Sequence, residues 1–448
     1  MVMTDGAESR RFGRAVGLLR AEGTATQASF VELFFDLFVV FALTRLVAYA
    51  ATNLSPDAHP SEHWITIAHT LLMLLTLLWA WTITTYVTAR FDPKRLAVQV
   101  FVVGTAFGML IMGGSVLRAF DSRAAGFAYP YVVMQLGRTL ALGLMLRGHA
   151  LRRPFLHATV WYCLSAVPWL LGVAVGSSAR VVLWSVALLI DLGGARAGWP
   201  LPGLKNDRIA TWGAHPRYLA SRFQQLLMIA LGEPLLAVGI IFSLKPASPY
   251  RDAALVTAFL TTVLLWRIYY HLAGELLPDA VASAADPARS GRIAGVAHII
   301  MICGIVLNGV GHEVIQSYPA RYTDPASLVM IIGGPAAYLA GRAVLERVVF
   351  SRISRRRFVA IAVLLLLAAP SPVASPTAVA VAVGLVLLGS PWPTPGSRGT
   401  DLSSRPRRCA ERRRDQAAIT RAWAATHPTP WLRSPPARGR RLPQVVDR

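Results

Sequence analysis

An all-α, polytopic transmembrane helix bundle is the fold class the sequence predicts. Three observations carry it: apolar runs of helix-spanning length recur through nearly the whole chain, 54% of the 448 residues are hydrophobic, and only 15% are charged. Soluble globular chains do not combine these features. The formal net charge of +22 raises nucleic acid as a partner. Most of that charge falls in short loops between apolar runs and after residue 390, so anionic lipid headgroups are the expected neighbours and nucleic acid is not. Cys163 and Cys303 lie inside apolar runs and Cys409 in the tail, a spacing that supports neither disulfides nor zinc.

Taking about 20 apolar residues per span, about twelve spans are predicted, near 29–51, 64–89, 95–117, 127–147, 155–176, 179–195, 222–243, 252–277, 292–314, 326–346, 357–369 and 375–389. Pro370, Pro372 and Pro376 separate the last two, leaving a hairpin or one broken span. Residues 1–28 are polar with no apolar core, so the first span is expected to act as its own insertion signal. Arg90, Lys94 and Arg95, then Arg147, Arg152 and Arg153, then Arg196, Lys205, Arg208 and Arg217 alternate with loops that are poorer in basic residues. Under the positive-inside rule this places both termini in the cytoplasm. Abundant alanine, and arginine in place of lysine, suggest a GC-rich bacterial genome and hence a bacterial plasma membrane.

The connection 196–221 splits the chain into six-helix halves, 29–195 and 222–389. Asp36 is followed by LFVVFA and Glu233 by PLLAVG, each in the helix that opens its half. Six spans per half would make the two repeats parallel. The segment 390–448 is rich in Pro and Arg, lacks helical periodicity and is expected to be disordered.

Charge inside a membrane costs roughly 2.5–3.5 kcal/mol per residue on insertion scales, so intramembrane polar groups are the candidate functional residues. Glu32 and Asp36, spaced i, i+4 in FVELFFDLFVVFALTR, share one face. Glu233 lies deeper, and Pro234 beside it opens the helix hydrogen-bond ladder. Arg138 also reaches mid-membrane. Arg267, His271 and Glu275 form a stripe, a proton relay or a helix end snorkelling to headgroups. His298 lies within its span and is the better candidate, whereas His312 and Glu313 fall near its end, where a solvated helix end explains them about as well as a functional role. An ion or proton pathway through Glu32, Asp36, Arg138, Glu233, Arg267, His271 and His298 is one reading. Its competitor is a set of packing ion pairs, with Arg138 or Arg267 as partners of the acids. Trp64, Trp79 and Trp81 are expected to be interfacial anchors. No nucleotide loop, dinucleotide fingerprint or GxSxG motif is present, so no catalytic residue, cofactor or metal site is expected.

With those residues in view, ELFFDLFVVFALTRL, WAWTITTYVTARFDP, YLASRFQQLLMIALGEPLLAVG, LWRIYYHLAGE and VAHIIMICGIVLNGVGHEVI, in that order over residues 28–390, resemble the bacterial low temperature requirement A (LtrA) family. The resemblance implies that Glu32, Asp36, Arg222, Glu233 and His298 are recurrent polar positions. Ser221, Pro234 and His271 depart from the family's pattern. The family name records a growth phenotype, so it implies no mechanism. The first helix also resembles, through Phe34, Asp36, Phe38, Ala42 and Thr44, that of lysosomal potassium-channel-like proteins, an analogy at the level of fold.

Three functions follow as expectations. The first is a multi-pass protein that conducts or transports a small ion or solute. The second is a non-transporting, lipid-responsive scaffold, and the third an intramembrane enzyme on a lipid-linked substrate, which the absence of clustered polar loop residues disfavours. Membrane lipids are the expected partners, and a homo-oligomer is compatible with the sequence.

Overall fold

The computed structural model describes residues 17–20, 28–54, 59–202, 216–270, 274–318, 323–351, 354–369 and 374–390. Every element among them is helical, apart from an isolated bridge between Leu19 and Phe91. His271, half of the 196–221 connection (residues 203–215) and the tail after residue 390 lie outside the described residues.

Each apolar run read from the sequence falls on a helix. In the first half these are α1 (Phe30–Asn53), α2 (Pro60–Arg90), α3 (Leu96–Ser115, extended by a 3₁₀ turn to Arg118), α4 (Ala124–Met145), α5 (Arg152–Ala174) and α6 (Ser177–Ala197). In the second half they are α7 (Pro216–Leu244), α8 (Pro249–Tyr269), the short α9 (Glu275–Ala282), α10 (Pro287–Ser317), α11 (Pro325–Phe350), α12 (Arg355–Leu366) and α13 (Pro376–Gly389). Eight of them, α2, α3, α5, α6, α7, α8, α10 and α11, are long and apolar enough to cross a membrane. Helices α1 and α4 reach 24 and 22 residues but bury charge along their length, Glu32 and Asp36 in one and Arg138 in the other. Helices α12 and α13 are shorter, at 12 and 14 residues.

Local chemistry sets the boundaries. Proline opens α2, α8, α10, α11 and α13 at the first turn, where its missing N–H costs no helical bond. Asp286 and Asp324 cap α10 and α11 through side-chain bonds to free backbone N–H groups. Gly198, at φ 85°, closes α6 in the left-handed conformation.

The predicted span 252–277 is two elements. α8 stops at Tyr269 and α9 starts at Glu275, with π-helical backbone at Tyr270 and Gly274 and residues 271–273 outside the described residues. Pro278, inside α9, has a ring nitrogen that cannot donate to the carbonyl of Gly274, four residues back. That freed carbonyl accepts instead from the Gln224 amide. Two side chains of α11 finish the α8 terminus, Tyr338 donating to the Leu265 carbonyl at 2.7 Å and Arg342 to the Ile268 carbonyl at 2.9 Å.

In the first half α1 packs on α2 and α3, the chain then runs side by side through α4, α5 and α6, and α2 touches α6. In the second half α7 packs on α8 and α10, α11 follows α10, α12 and α13 continue the row, and α8 touches α13. The halves meet where α1 lies against α7 and α10, and α2 against α7. The tightest packing is between α10 and α11, where Gly304, Gly334 and Gly341 let backbones touch: a Cβ on Gly304 would lie 2.6 Å from the Gly334 carbonyl oxygen and from the Tyr338 nitrogen. The described N-terminal stretch is tied to the end of α2, Arg20 N–H donating to the Arg90 carbonyl at 3.0 Å and Asp92 N–H to the Leu18 carbonyl at 2.9 Å.

Candidate functional site

The polar side chains buried in this bundle form three centres of different character. The first is the seam between the halves. Arg222, one turn and a half into α7, reaches Asp36 on α1 with two parallel bonds, Nη1 to Oδ2 at 2.9 Å and Nη2 to Oδ1 at 3.0 Å. Trp81 on α2 donates its indole N–H to Asp36 Oδ1 at 2.9 Å, and Arg222 lies over the Trp81 ring at 5.6 Å. Glu32, one turn before Asp36, accepts from the Ser29 N–H and hydroxyl at 2.8 and 2.7 Å, and from the Tyr218 hydroxyl. Arg20 stacks over the Tyr218 ring at 4.7 Å. Both acids are buried and both are supplied with donors. Such a bidentate pair holds geometry. The partner of Asp36 is therefore Arg222, not the Arg138 or Arg267 considered from the sequence. Trp81, expected at an interface, is fully buried as a hydrogen-bond donor, whereas Trp64 is exposed.

The second centre lies within the first half. Arg138 on α4 donates to the Thr84 hydroxyl of α2 at 2.9 Å and to the side-chain carbonyl of Gln135. Gln135 donates in turn to the Tyr131 hydroxyl at 3.3 Å, and Tyr131 donates to Asp191 Oδ2 on α6 at 2.6 Å. Neutral groups thus link a buried cation to a buried anion across three helices. Asp191, 1% exposed, escaped the sequence reading. Its signal was present, an acid within the apolar run VALLIDLGG, of the same kind that singled out Asp36.

The third centre is Glu233 on α7. It is wholly buried, and neither carboxyl oxygen has a hydrogen-bond partner among the described residues. Its Oε2 sits 2.8 Å from where a Cβ of Gly309 would stand, so only glycine on α10 leaves room for it. Glu313, one turn beyond Gly309, is the ionisable group set against it. The same arc of α10 carries Asn308, His312 and Gln316, all buried, with Asn308 Nδ2, His312 Nδ1 and both amide atoms of Gln316 unpartnered in the protein. These residues lie at i, i+4 and i+8 and so form one stripe. Of the two residues that the sequence leaves open between a solvated helix end and a functional role, His312 is buried and Glu313 half-buried. Alongside them α11 opens into a π-helical stretch, Val329–Gly333, whose Ile331 packs at Gly311. Such bulges are frequent at functional sites.

His298 belongs to none of these. Its Nδ1 is 2.7 Å from the Ala294 carbonyl, which can only accept, so Nδ1 holds the hydrogen. Nε2, 2.9 Å from the Tyr269 hydroxyl, then accepts. Both ring nitrogens of the neutral imidazole are satisfied, as in a core histidine. Among the described residues, no group of three or more His, Cys, Asp or Glu side chains could hold a metal ion.

Comparison with known proteins accords with this architecture. Residues 27–390 match the family described as bacterial low temperature requirement A protein (LtrA). A protein of Rhizobium meliloti (strain 1021), described as uncharacterized, is 30% identical over 334 residues, covering 74% of this chain and 80% of that one. No solved structure matches. With its series of long apolar helices, and with a match that spans all of them, the chain is a multi-pass membrane protein and belongs to the bacterial low temperature requirement A (LtrA) family.

Proposed function

We propose that this protein moves a small ion or solute across a bacterial plasma membrane, and that Glu233 is the acid that handles it. The carrying observation is that carboxyl: fully buried, at the contact of α7 with α10, with no donor among the described residues on either oxygen. A buried charged or polar group left without partners is costly. Where a fold retains one in a membrane, a functional role is the default reading.

The proposed architecture is about twelve spans in two parallel six-helix halves, with both termini cytoplasmic. Support comes from helix neighbours. If α9 is set aside as an insertion, α1 with α2 and α3 corresponds to α7 with α8 and α10, the rows α3–α6 and α10–α13 correspond, and the α2–α6 contact corresponds to α8–α13. Asp36 and Glu233 then fall on equivalent first helices. One acid is clamped by Arg222 and the other is unclamped, which divides the labour: a fixed seam and a working site.

A second reading has its own observation. The Asp36, Glu32, Arg222, Trp81 and Tyr218 network is fully supplied with donors, as a packing ion pair in a non-transporting scaffold would be. Flux in proteoliposomes separates the readings. Wild-type flux of an ion, lost in Glu233→Gln with the fold retained, supports transport. Absence of flux under any imposed gradient, with correctly folded protein, supports the scaffold.

A further inference from the structure

Below Asn308, toward the start of α10, the interior is apolar: Met301, Ile302 and Ile305 are wholly buried, and His298 is closed on Tyr269 and Ala294. Above it, the unpartnered polar atoms continue from Asn308 through His312 to Gln316, one residue short of the helix end at Ser317. At 1.5 Å per residue this stripe spans roughly 12 Å. Its outer end meets Arg251 of α8, whose Nε donates to the Gln316 carbonyl at 3.4 Å. The buried polar groups therefore run from Glu233 toward one end of the bundle and not toward the other.

Chemistry selects what travels along it. Glu313 is a second carboxyl whose charge bears on Glu233, and among the described residues no basic group hydrogen-bonds to the Glu233 carboxyl. Helices α1, α2, α8 and α9 also pack on α7, and among the described residues none of them supplies a hydrogen bond to Glu233. A hydrated metal ion needs a ring of oxygen ligands, whereas the groups along the stripe are an amide, an imidazole and a second amide. The imidazole nitrogen and the amide oxygen accept hydrogen bonds, and the amide nitrogens donate them. That is a set suited to passing a proton through bridging water rather than to coordinating a metal.

We infer that Glu233 carries an exchangeable proton, that the stripe of Asn308, His312 and Gln316 connects it to the membrane face at which α10 ends, and that the transported ion is the proton. The inference deepens the transport reading and rests on it.

The test uses the full chain in proteoliposomes loaded with a pH-sensitive dye, with a potassium diffusion potential set by valinomycin. Acidification of the lumen is expected for wild type and is expected to vanish in Glu233→Gln. Gln316→Leu is expected to slow proton flux by an order of magnitude. The apolar reagent dicyclohexylcarbodiimide, which attacks protonated carboxyls, gives an independent reading on the wild-type protein. It is expected to modify Glu233, less as pH rises, and to do so equally in Gln316→Leu, because only access is changed. Sodium or potassium flux without proton movement overturns the inference and leaves transport standing. Failure of the reagent to modify Glu233 at any pH also overturns it. Absence of flux for every ion removes both.

Discussion

Arg222 and Asp36, 186 positions apart in sequence, form a two-pronged ion pair that joins the opening helices of the two halves, with Trp81 as a third donor. Breaking a buried pair from one side strands the other charge and costs roughly 3–5 kcal/mol, whereas replacing both by apolar groups is often tolerated. Asp36→Leu and Arg222→Met are each expected to lower the melting temperature of the detergent-solubilised protein sharply. The double variant is expected to melt above either single one. Strictly additive losses would show that the pair contributes nothing as a pair.

Arg180 serves a different purpose, gathering carbonyls rather than an acid. Its Nε and Nη2 donate to the Gly172 and Val175 carbonyls at 2.8 Å, and Nη1 lies 3.3 Å from the carbonyls of Ala119 and Asp121. It therefore terminates α5 and ties that end to the turn between α3 and α4, using charge where the helix dipole is negative. Arg180→Ala is expected to speed amide hydrogen exchange at 119–123 and 172–178 while leaving α10 unchanged. Lysine, a single point of charge, should restore only part of the protection.

Much of the bundle is legible because a membrane span is written in composition: each predicted apolar run falls on helix, and eight of those helices are long and apolar enough to cross a membrane. What was not legible was partnership. Glu32 and Asp36 stood out as intramembrane acids, yet nothing local says that their donors are Tyr218 and Arg222 from the other half. Arg138 looked like a counter-charge and instead bonds to Thr84 and Gln135, because the tertiary fold places it two neutral side chains from Asp191. Hydropathy also misplaced the end of α8. Averaging over a window does not show the change from α8 to π-helical backbone at Tyr270 and Gly274. Position in the span leaves His312 and Glu313 open between a solvated end and a functional role; the packing of α10 against α7 and α11 buries His312 and leaves Glu313 half-buried.

Small residues divide cleanly by what lies opposite them. At Gly304 a Cβ would stand 2.6 Å from backbone atoms of Gly334 and Tyr338, and backbone cannot step aside as a side-chain tip can. At Gly137, on α4, nothing lies within 4 Å. Gly304→Ala is therefore expected to force α10 and α11 apart and to destabilise by about 1–3 kcal/mol. Gly137→Ala is expected to be neutral or stabilising by up to about 1 kcal/mol, since alanine is the better helix former. The contrast is read from paired thermal melts, and equal effects at the two sites would discount the close approach of α10 to α11.

Glu233→Gln gives the sharpest contrast with Asp36. The glutamine keeps the size of the side chain and removes an ionisable group that receives no donor from the protein, whereas Asp36 receives three. At the seam, Asp36→Asn leaves Arg222 buried without its counter-charge, so stability should fall by a few kcal/mol. At Glu233 no cation loses its partner, and the substitution removes the mutual repulsion with Glu313. Glu233→Gln is thus expected to melt at or above the wild-type temperature, and Asp36→Asn well below it, in the same detergent. If Glu233→Gln melted as early as Asp36→Asn, the Glu233 carboxyl would be holding the helices together, and a working role for it would have no support.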